Sequence, residues 1–266
     1  MQAKLSMQEI SSQQKLELHK VKLLMPALCR IRQGKKIIKW RGQTETADAS
    51  QIIFFPAGVE LYIENIPENG RYLSEIISIP ASVIKLYLKL STASPENQDI
   101  QRFGIKYCKE LNFCWEQLKY ALKKDFSSQL TEHMMSGILL MLRKNSITSL
   151  FMNTPDNTVI SRCQDLITLS PSYHWTAREI AGQLHMSVST LHRSLLREGG
   201  SFQQILDDVR LGNALNAIQT TTIPVNEIAR NNGYQCSSNF TSRFKKRYKI
   251  TPRALRRSIN GKTMNK

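Results

Sequence analysis

Short apolar runs separated by turn residues fill the first part of the chain. Lys35–Trp40, Gln51–Phe55, Val59–Glu64 and Tyr72–Ile79 are rich in Ile, Val, Phe and Tyr. Gly34, Gly42, Pro56-Ala57-Gly58 and Pro67-Glu68-Asn69-Gly70 punctuate them. Short strands at this spacing predict a small sandwich or barrel over about residues 16–80. From Ser82 the period lengthens. Val83, Leu86, Tyr87 and Leu90 recur at helical spacing, as do Leu111, Cys114, Trp115, Leu118 and Leu122, and then Leu130, Met134, Ile138, Met141 and Leu142. These stripes suit either a domain core or a helix pair that joins two subunits, and the pattern leaves both open. The polar, Pro-containing segment Asn153–Thr158 predicts a linker. Everything after it reads as helix. The expected class is therefore α+β: an N-terminal domain of β structure with helices (1–152), a linker (153–158) and an all-α domain (159–266).

The helical domain contains a repeat. Thr176 followed by Glu179 is a capping box that opens a helix, and Ile180, Ala181 and Leu184 form its inner stripe. His185-Met186 makes a turn, and Ser187 is placed to cap the next helix. On that helix Val188, Leu191 and Leu195 share one face, while Ser189, His192, Arg193 and Arg197 share the other. The second unit follows the same plan. Pro224 suits a first helical turn, Ile228-Ala229 answers Ile180-Ala181, and Asn231-Asn232-Gly233 ends the helix. Ser237 is placed to cap a helix whose buried stripe is Phe240, Phe244 and Tyr248. Its open side carries Ser238, Asn239, Thr241 and Ser242, with Arg243 and Lys245 at the edge. Ile228 follows Ile180 by 48 residues and Phe240 follows Leu191 by 49. Between the units, Phe202, Ile205, Leu206, Val209, Leu215 and Ile218 suit one connecting helix. A capped helix, a tight turn and a second helix with one polar face is the geometry that enters the major groove. A rigid connector would present the helices at about 187–197 and 237–248 to successive groove segments about 34 Å apart.

Charge strengthens that reading. The 266 residues carry a net charge of +16. No Asp or Glu follows Glu227, whereas Arg230, Arg243, Lys245, Lys246, Arg247, Lys249, Arg253, Arg256, Arg257, Lys262 and Lys266 do. A solvated helix face usually mixes signs, so this end is expected to meet phosphate. The cysteines Cys29, Cys108, Cys114, Cys163 and Cys236 form no CxxC pair. No zinc site, disulfide framework or other cofactor is expected, and a reducing compartment is. No apolar signal core opens the chain and no run reaches the roughly 18 residues of a membrane helix, so the expected location is cytoplasmic.

The same residues resemble the AraC/XylS family of transcription regulators over about 159–260. Trp175-Thr176-Ala177-Arg178-Glu179-Ile180-Ala181 is similar to the family's first helix, and Arg210-Leu211 with Ala214 to its linker helix. Ile228-Ala229, Gly233-Tyr234, Asn239-Phe240, Arg243-Phe244-Lys245 and Thr251-Pro252 are similar to its C-terminal signature. The resemblance implies base reading by Ser189, His192 and Arg193 in the first unit and by Ser238, Asn239, Thr241 and Ser242 in the second. Arg197, Arg243, Lys245, Lys246 and Arg247 are the phosphate candidates. Two departures stand out. Ser242 occupies a position where the family often has Arg, and Lys249 one where it usually has Gly. Gln51–Gly58 loosely resembles the strand and turn of the family's cupin-like domain, which in relatives binds an effector, a partner protein or a second subunit. The ending resembles that of enteric virulence regulators, some of which bind fatty acids. Lys35, Lys36, Lys39 and Arg41 are the residues that would meet such an anion, with a solvated surface as the alternative.

The reading is thus a bacterial DNA-binding activator that contacts RNA polymerase, with double-stranded DNA as partner, a small anionic or fatty-acid effector, and a homodimer as a further possibility. Two alternatives remain. A DNA-repair alkyltransferase with an AraC-like domain needs a zinc-activated Cys cluster, and Cys29 stands alone. A partner-sequestering module would have lost DNA binding.

Overall fold

The computed structural model describes residues 5–90, 103–142 and 158–260. The strands are β1 (Ser6–Ser12), β2 (Leu16–Lys22), β3 (Ala27–Gln33), β4 (Lys35–Trp40), β5 (Gln43–Ala47), β6 (Gln51–Phe55), β7 (Glu60–Ile66), β8 (Tyr72–Ser78) and β9 (Gly104–Lys106). They build two antiparallel sheets ordered β1-β8-β3-β6-β9 and β2-β7-β4-β5. The sheets face each other over Ala27, Cys29, Ile31, Ile53, Phe55 and Tyr72 on one side and Leu16, Leu18, Ile38, Leu61 and Ile63 on the other. This is the expected sandwich. β1 and β9 lie outside the range that the sequence predicts, and β5 (Gln-Thr-Glu-Thr-Ala) carries no apolar alternation. All three sit at sheet edges, where one-sided burial weakens the pattern. At the β3–β4 turn Gly34 has φ +84°, and a Cβ there would lie 2.4 Å from the carbonyl oxygen of Ile66. Only glycine fits.

Helices α1 (Ala81–Leu90), α2 (Lys109–Lys123) and α3 (Ser128–Leu142) cover the outer face of the five-stranded sheet. β6 is therefore buried on both faces, which is why it reads as an unbroken Ile-Ile-Phe-Phe run. Leu111, Trp115 and Leu118 of α2 and Ile138 and Leu142 of α3 are buried in this cluster. Most of each helical stripe is thus core of the first domain, while Leu90 and Leu130 at the stripe ends stay exposed. Polar ties fix α2 to the sheet. Trp115 Nε1 donates to Glu75 at 2.8 Å, Lys119 pairs with the same carboxylate, and Glu116 accepts from Arg30 and Arg32 at 2.6 and 2.7 Å.

Between the sheets lies an unusual cation. Lys36 is 4% exposed; its ammonium donates to Asn65 Oδ1 at 2.6 Å and lies 5.1 Å from the centre of the Tyr72 ring. Nearby, the buried hydroxyls of Ser12, Tyr72 and Ser74 lack hydrogen-bond partners. Burial holds the Lys36 pKa below its ordinary value. The unfolded chain then keeps the proton to a pH near 10.4 while the folded chain releases it earlier, so stability rises with pH across that window. We expect urea unfolding between pH 7 and 10 to show wild type gaining on Lys36→Met by about 1.4 kcal/mol per unit of depression. Parallel profiles for the two proteins would mean that the ammonium is solvated.

The C-terminal region comprises α4 (Val159–Leu169), α5 (Ala177–Gln183), α6 (Val188–Arg197), α7 (Phe202–Thr220), α8 (Val225–Asn231), α9 (Ser237–Tyr248) and α10 (Pro252–Asn260). Residues 153–157 of the expected linker lie outside the described residues. Its last residue, Thr158, caps α4 by accepting the Ser161 N–H at 3.0 Å. The first helix-turn-helix unit has its own core of Cys163, Ile167, Ile180, Leu191, Leu195, Val209 and neighbours. The second does not. Leu211, Ala214, Ile218, Ile228, Phe240, Phe244 and Tyr248 belong to one cluster continuous with the sandwich interior. β1 and β2 lie against α7, with α9 on β2 and α10 on β1, and the Gln13 N–H donates to the Ser258 carbonyl at 2.9 Å.

Candidate nucleic-acid interface

In the first unit the capping box forms as the sequence predicts. The Glu179 N–H donates to Thr176 Oγ1 at 3.2 Å and the Thr176 N–H to Glu179 Oε2 at 2.8 Å. His185 takes φ 55° in the turn, and Ser187 Oγ accepts the Thr190 N–H at 3.1 Å to open α6. Leu191 and Leu195 are buried, while Ser189, His192, Arg193 and Arg197 are exposed.

The second unit repeats the shape with different end chemistry. Pro224 stands at the N-cap of α8 and makes no side-chain cap bond. Gly233 has φ +77°, and a Cβ there would come 2.6 Å from Arg210 Nη2. Cys236, not the expected Ser237, occupies the N-cap of α9; Ser237 is the first helical residue. The exposed Cys236 thiol lies 2.9 Å from Ser238 Oγ. Its pKa is held below the ordinary value by that hydroxyl and by the N–H groups of Asn239 and Ser238. Phe240, Phe244 and Tyr248 are buried and in ring contact, with centroids 5.6 and 4.6 Å apart along the row. Ser238, Asn239, Ser242, Lys245 and Lys246 are exposed and Thr241 is half-buried. Lys249 ends α9 with φ 62°, adopting the left-handed conformation that glycine would supply.

The connector α7 carries what the sequence does not announce. Arg210 donates to the carbonyls of Pro171 at 3.0 Å and Tyr173 at 2.7 Å while crossing over Gly233, and so ties the two units together. Asp207 holds Arg243 Nη1 with both oxygens, at 2.7 and 2.8 Å. Asp208 is shared by Arg247 of α9 at 2.5 Å and Lys22 of β2 at 2.9 Å. Two of the five phosphate candidates are therefore engaged elsewhere. The Arg247 side chain is 15% exposed and packed on α7, and Arg243 faces the connector. Arg256 likewise caps the carbonyls of Ile218 and Ile223. For Arg243 and Arg247 the acid-free sequence is not unpaired charge, because their partners lie 36 and 39 residues upstream.

The four basic effector candidates of the first domain, Lys35, Lys36, Lys39 and Arg41, do not converge. Lys35 pairs with Glu68 at 2.9 Å, Lys39 lies over the Tyr62 ring and Arg41 over the Trp40 ring. Lys36 alone points inward, as strand alternation requires.

Two helix-turn-helix units on one connector, each with an exposed polar helix face, define a tandem helix-turn-helix domain. A family model described as a helix-turn-helix domain matches residues 180–258. The urease operon transcriptional activator of Escherichia coli is 30% identical over 182 residues, which cover 65% of this chain and 60% of that protein. The transcriptional regulator SirC of Salmonella typhimurium is 33% identical over 103 residues, 39% of this chain and 35% of its own. The chain thus spans less than two thirds of the length of these relatives. In fold it matches ToxT of Vibrio cholerae with a TM-score of 0.71 over 97% of this chain and 98% of that one, at 13% identity, a likeness of fold alone. The C-terminal domain thus matches a helix-turn-helix domain and is similar to those of transcription regulators, in keeping with the resemblance of its motifs to the AraC/XylS family. No helix among the described residues is long and apolar enough to cross a membrane.

Proposed function

We propose that the protein is a sequence-specific DNA-binding transcription regulator, an activator, that inserts α6 and α9 into successive segments of the major groove. One observation carries this reading: both second helices bury one face and leave the other polar and open, on a connector pinned to each unit by Arg210, Asp207 and Asp208. Ser189, His192 and Arg193 are the readers of the first unit, and Ser238, Asn239, Thr241 and Ser242 those of the second. Arg197, Lys245 and Lys246 meet phosphate.

Arg193 is exposed near the middle of α6, and arginine pairs readily with guanine O6 and N7. Arg193→Ala is expected to cost roughly 1–3 kcal/mol on the specific site and to relax one base pair. Lys245→Ala is expected to weaken all sequences alike and to reduce the salt slope by about one. Gel shifts on specific and scrambled DNA at several salt concentrations decide; swapped behaviour would make the second unit the principal reader.

The alkyltransferase alternative has little support. Cys29 is buried between the sheets and burial pushes its thiol pKa up, the opposite of an activated cysteine. The protein works without catalysis, in the cytoplasm beside the chromosome. Transcription with purified RNA polymerase tests the activator role. Sedimentation of the full chain tests a dimer.

An anionic effector in the first domain, a carboxylate such as a fatty acid, is favoured by the inward ammonium of Lys36 amid unpartnered hydroxyls. Calorimetric titration with decanoate tests it; heat that persists in Lys36→Met would place the site elsewhere.

A further inference from the structure

Arg243 stands on α9 one turn after Asn239, and its guanidinium is used twice. Nη1 donates to both oxygens of Asp207 on the connector, at 2.7 and 2.8 Å, and Nε donates to Asn239 Oδ1 at 3.1 Å. Gln203 Nε2, a turn before Asp207, donates to the same carboxylate at 3.3 Å. An arginine can only donate, so this contact decides which way the Asn239 carboxamide is turned. Its oxygen faces Arg243 and keeps one lone pair. Its Nδ2 group is left to donate. Asn239 is exposed in the first turn of α9, the part of a recognition helix that reaches base edges.

We propose that Asp207 and Arg243 are positioning residues that pre-set Asn239 to read an adenine. An asparagine reads adenine by donating from Nδ2 to N7 and accepting from the N6 amino group on Oδ1. The second lone pair of Oδ1 lets it accept from Arg243 and adenine together. The chain Asp207–Arg243–Asn239 thus runs from the connector, which both units share, to one base pair. It also accounts for an arginine that does not serve as a phosphate contact despite its place in the basic end. This inference rests on the reading that α9 lies in the major groove.

The sign of the effect separates positioning from phosphate contact. Removing an acid beside DNA ordinarily strengthens binding to every sequence, because a repulsion disappears. Here Asp207→Asn is expected instead to lose selectivity. The experiment is selection of binding sites from randomised duplex DNA with the full chain, followed by affinity measurements on the selected site and on its single A·T to G·C variant across a salt series. Wild type should fix an adenine at one position. Asn239→Ala, Asp207→Asn and Arg243→Lys should each lose about tenfold or more of the preference at that position alone, with an unchanged salt slope. Arg243→Lys keeps the charge and removes the Nε–H, and it serves if Asp207→Asn proves poorly folded by thermal denaturation. The proposal is overturned if Arg243→Lys or a folded Asp207→Asn keeps the adenine preference. It is also overturned if Arg243→Met weakens all DNA equally and lowers the salt slope by about one, the mark of a phosphate contact. Selection of no sequence at all by wild type would instead overturn the DNA-reading function itself, and this inference with it.

Discussion

Asp208→Ala is expected to destabilise the protein by about 3–5 kcal/mol, because it strips the one carboxylate that serves two cations at a buried junction. The side chains of Asp208 and Arg247 are 10% and 15% exposed, and that of Lys22 is 27% exposed. Arg247 Nε already lacks a hydrogen-bond partner, and Asp208 is the carboxylate that bonds the guanidinium directly, with Glu60 acting at longer range. The triad joins three elements distant in sequence: β2 of the sandwich, the connector α7 and the recognition helix α9. Loss of Asp208 therefore loosens the second unit from both neighbours. Asp207 provides the contrast. Its pair with Arg243 is more open, with side chains 28% and 41% exposed, and exposed pairs contribute about 1 kcal/mol or less. Urea unfolding of Asp208→Ala and Asp207→Ala at pH 7 measures both. Near-equal midpoints for the two variants would show that water reaches the triad and that the docking of the two domains is held by apolar contact alone.

What could be read from the chain, and what could not, follows from how local each signal is. The helix-turn-helix units were legible because their signals lie within a few residues of each other: the Thr176–Glu179 box, Ser187 before Val188, Gly233 after Asn232. The Leu118 and Ile138 stripes were legible as helix but ambiguous in partner, since an amphipathic face does not say whether its cover is a sheet or another subunit. β5 escaped notice because Gln43–Ala47 is an exposed edge without alternation. Ser237 looked like the cap of α9 because its hydroxyl suits the task, yet the helix opens one residue earlier, on Cys236. The roles of Asp207 and Asp208 were illegible, since they depend on contacts with Lys22, Arg243 and Arg247 that only the tertiary fold creates. A run of positive charge without acids in the same segment therefore overstated the phosphate-facing surface.

The division of the interior into separate cores sets up the final expectation. Phe244 is fully buried at the centre of the Phe240–Phe244–Tyr248 row, in the cluster that the second unit shares with the sandwich. Phe244→Ala removes the middle ring and should cost about 3–5 kcal/mol. The first unit packs on a different cluster around Ile180, Leu191 and Val209, so it should survive at temperatures where the second is already lost. The expected result is a footprint on DNA that shrinks to the segment covered by α6, with affinity falling toward the non-specific level as α9 and its Lys245 and Lys246 leave the groove. Leu191→Ala should do the converse: it costs about 2–5 kcal/mol, empties the first half of the footprint and leaves the docking of α9 on β2 intact. Calorimetry combined with footprinting on the same DNA tests the pair. A single transition for both variants, with both halves of the footprint vanishing together, would mean that α7 couples the two units into one cooperative body, and that Arg210 on Pro171 and Tyr173 outweighs the separation of the cores.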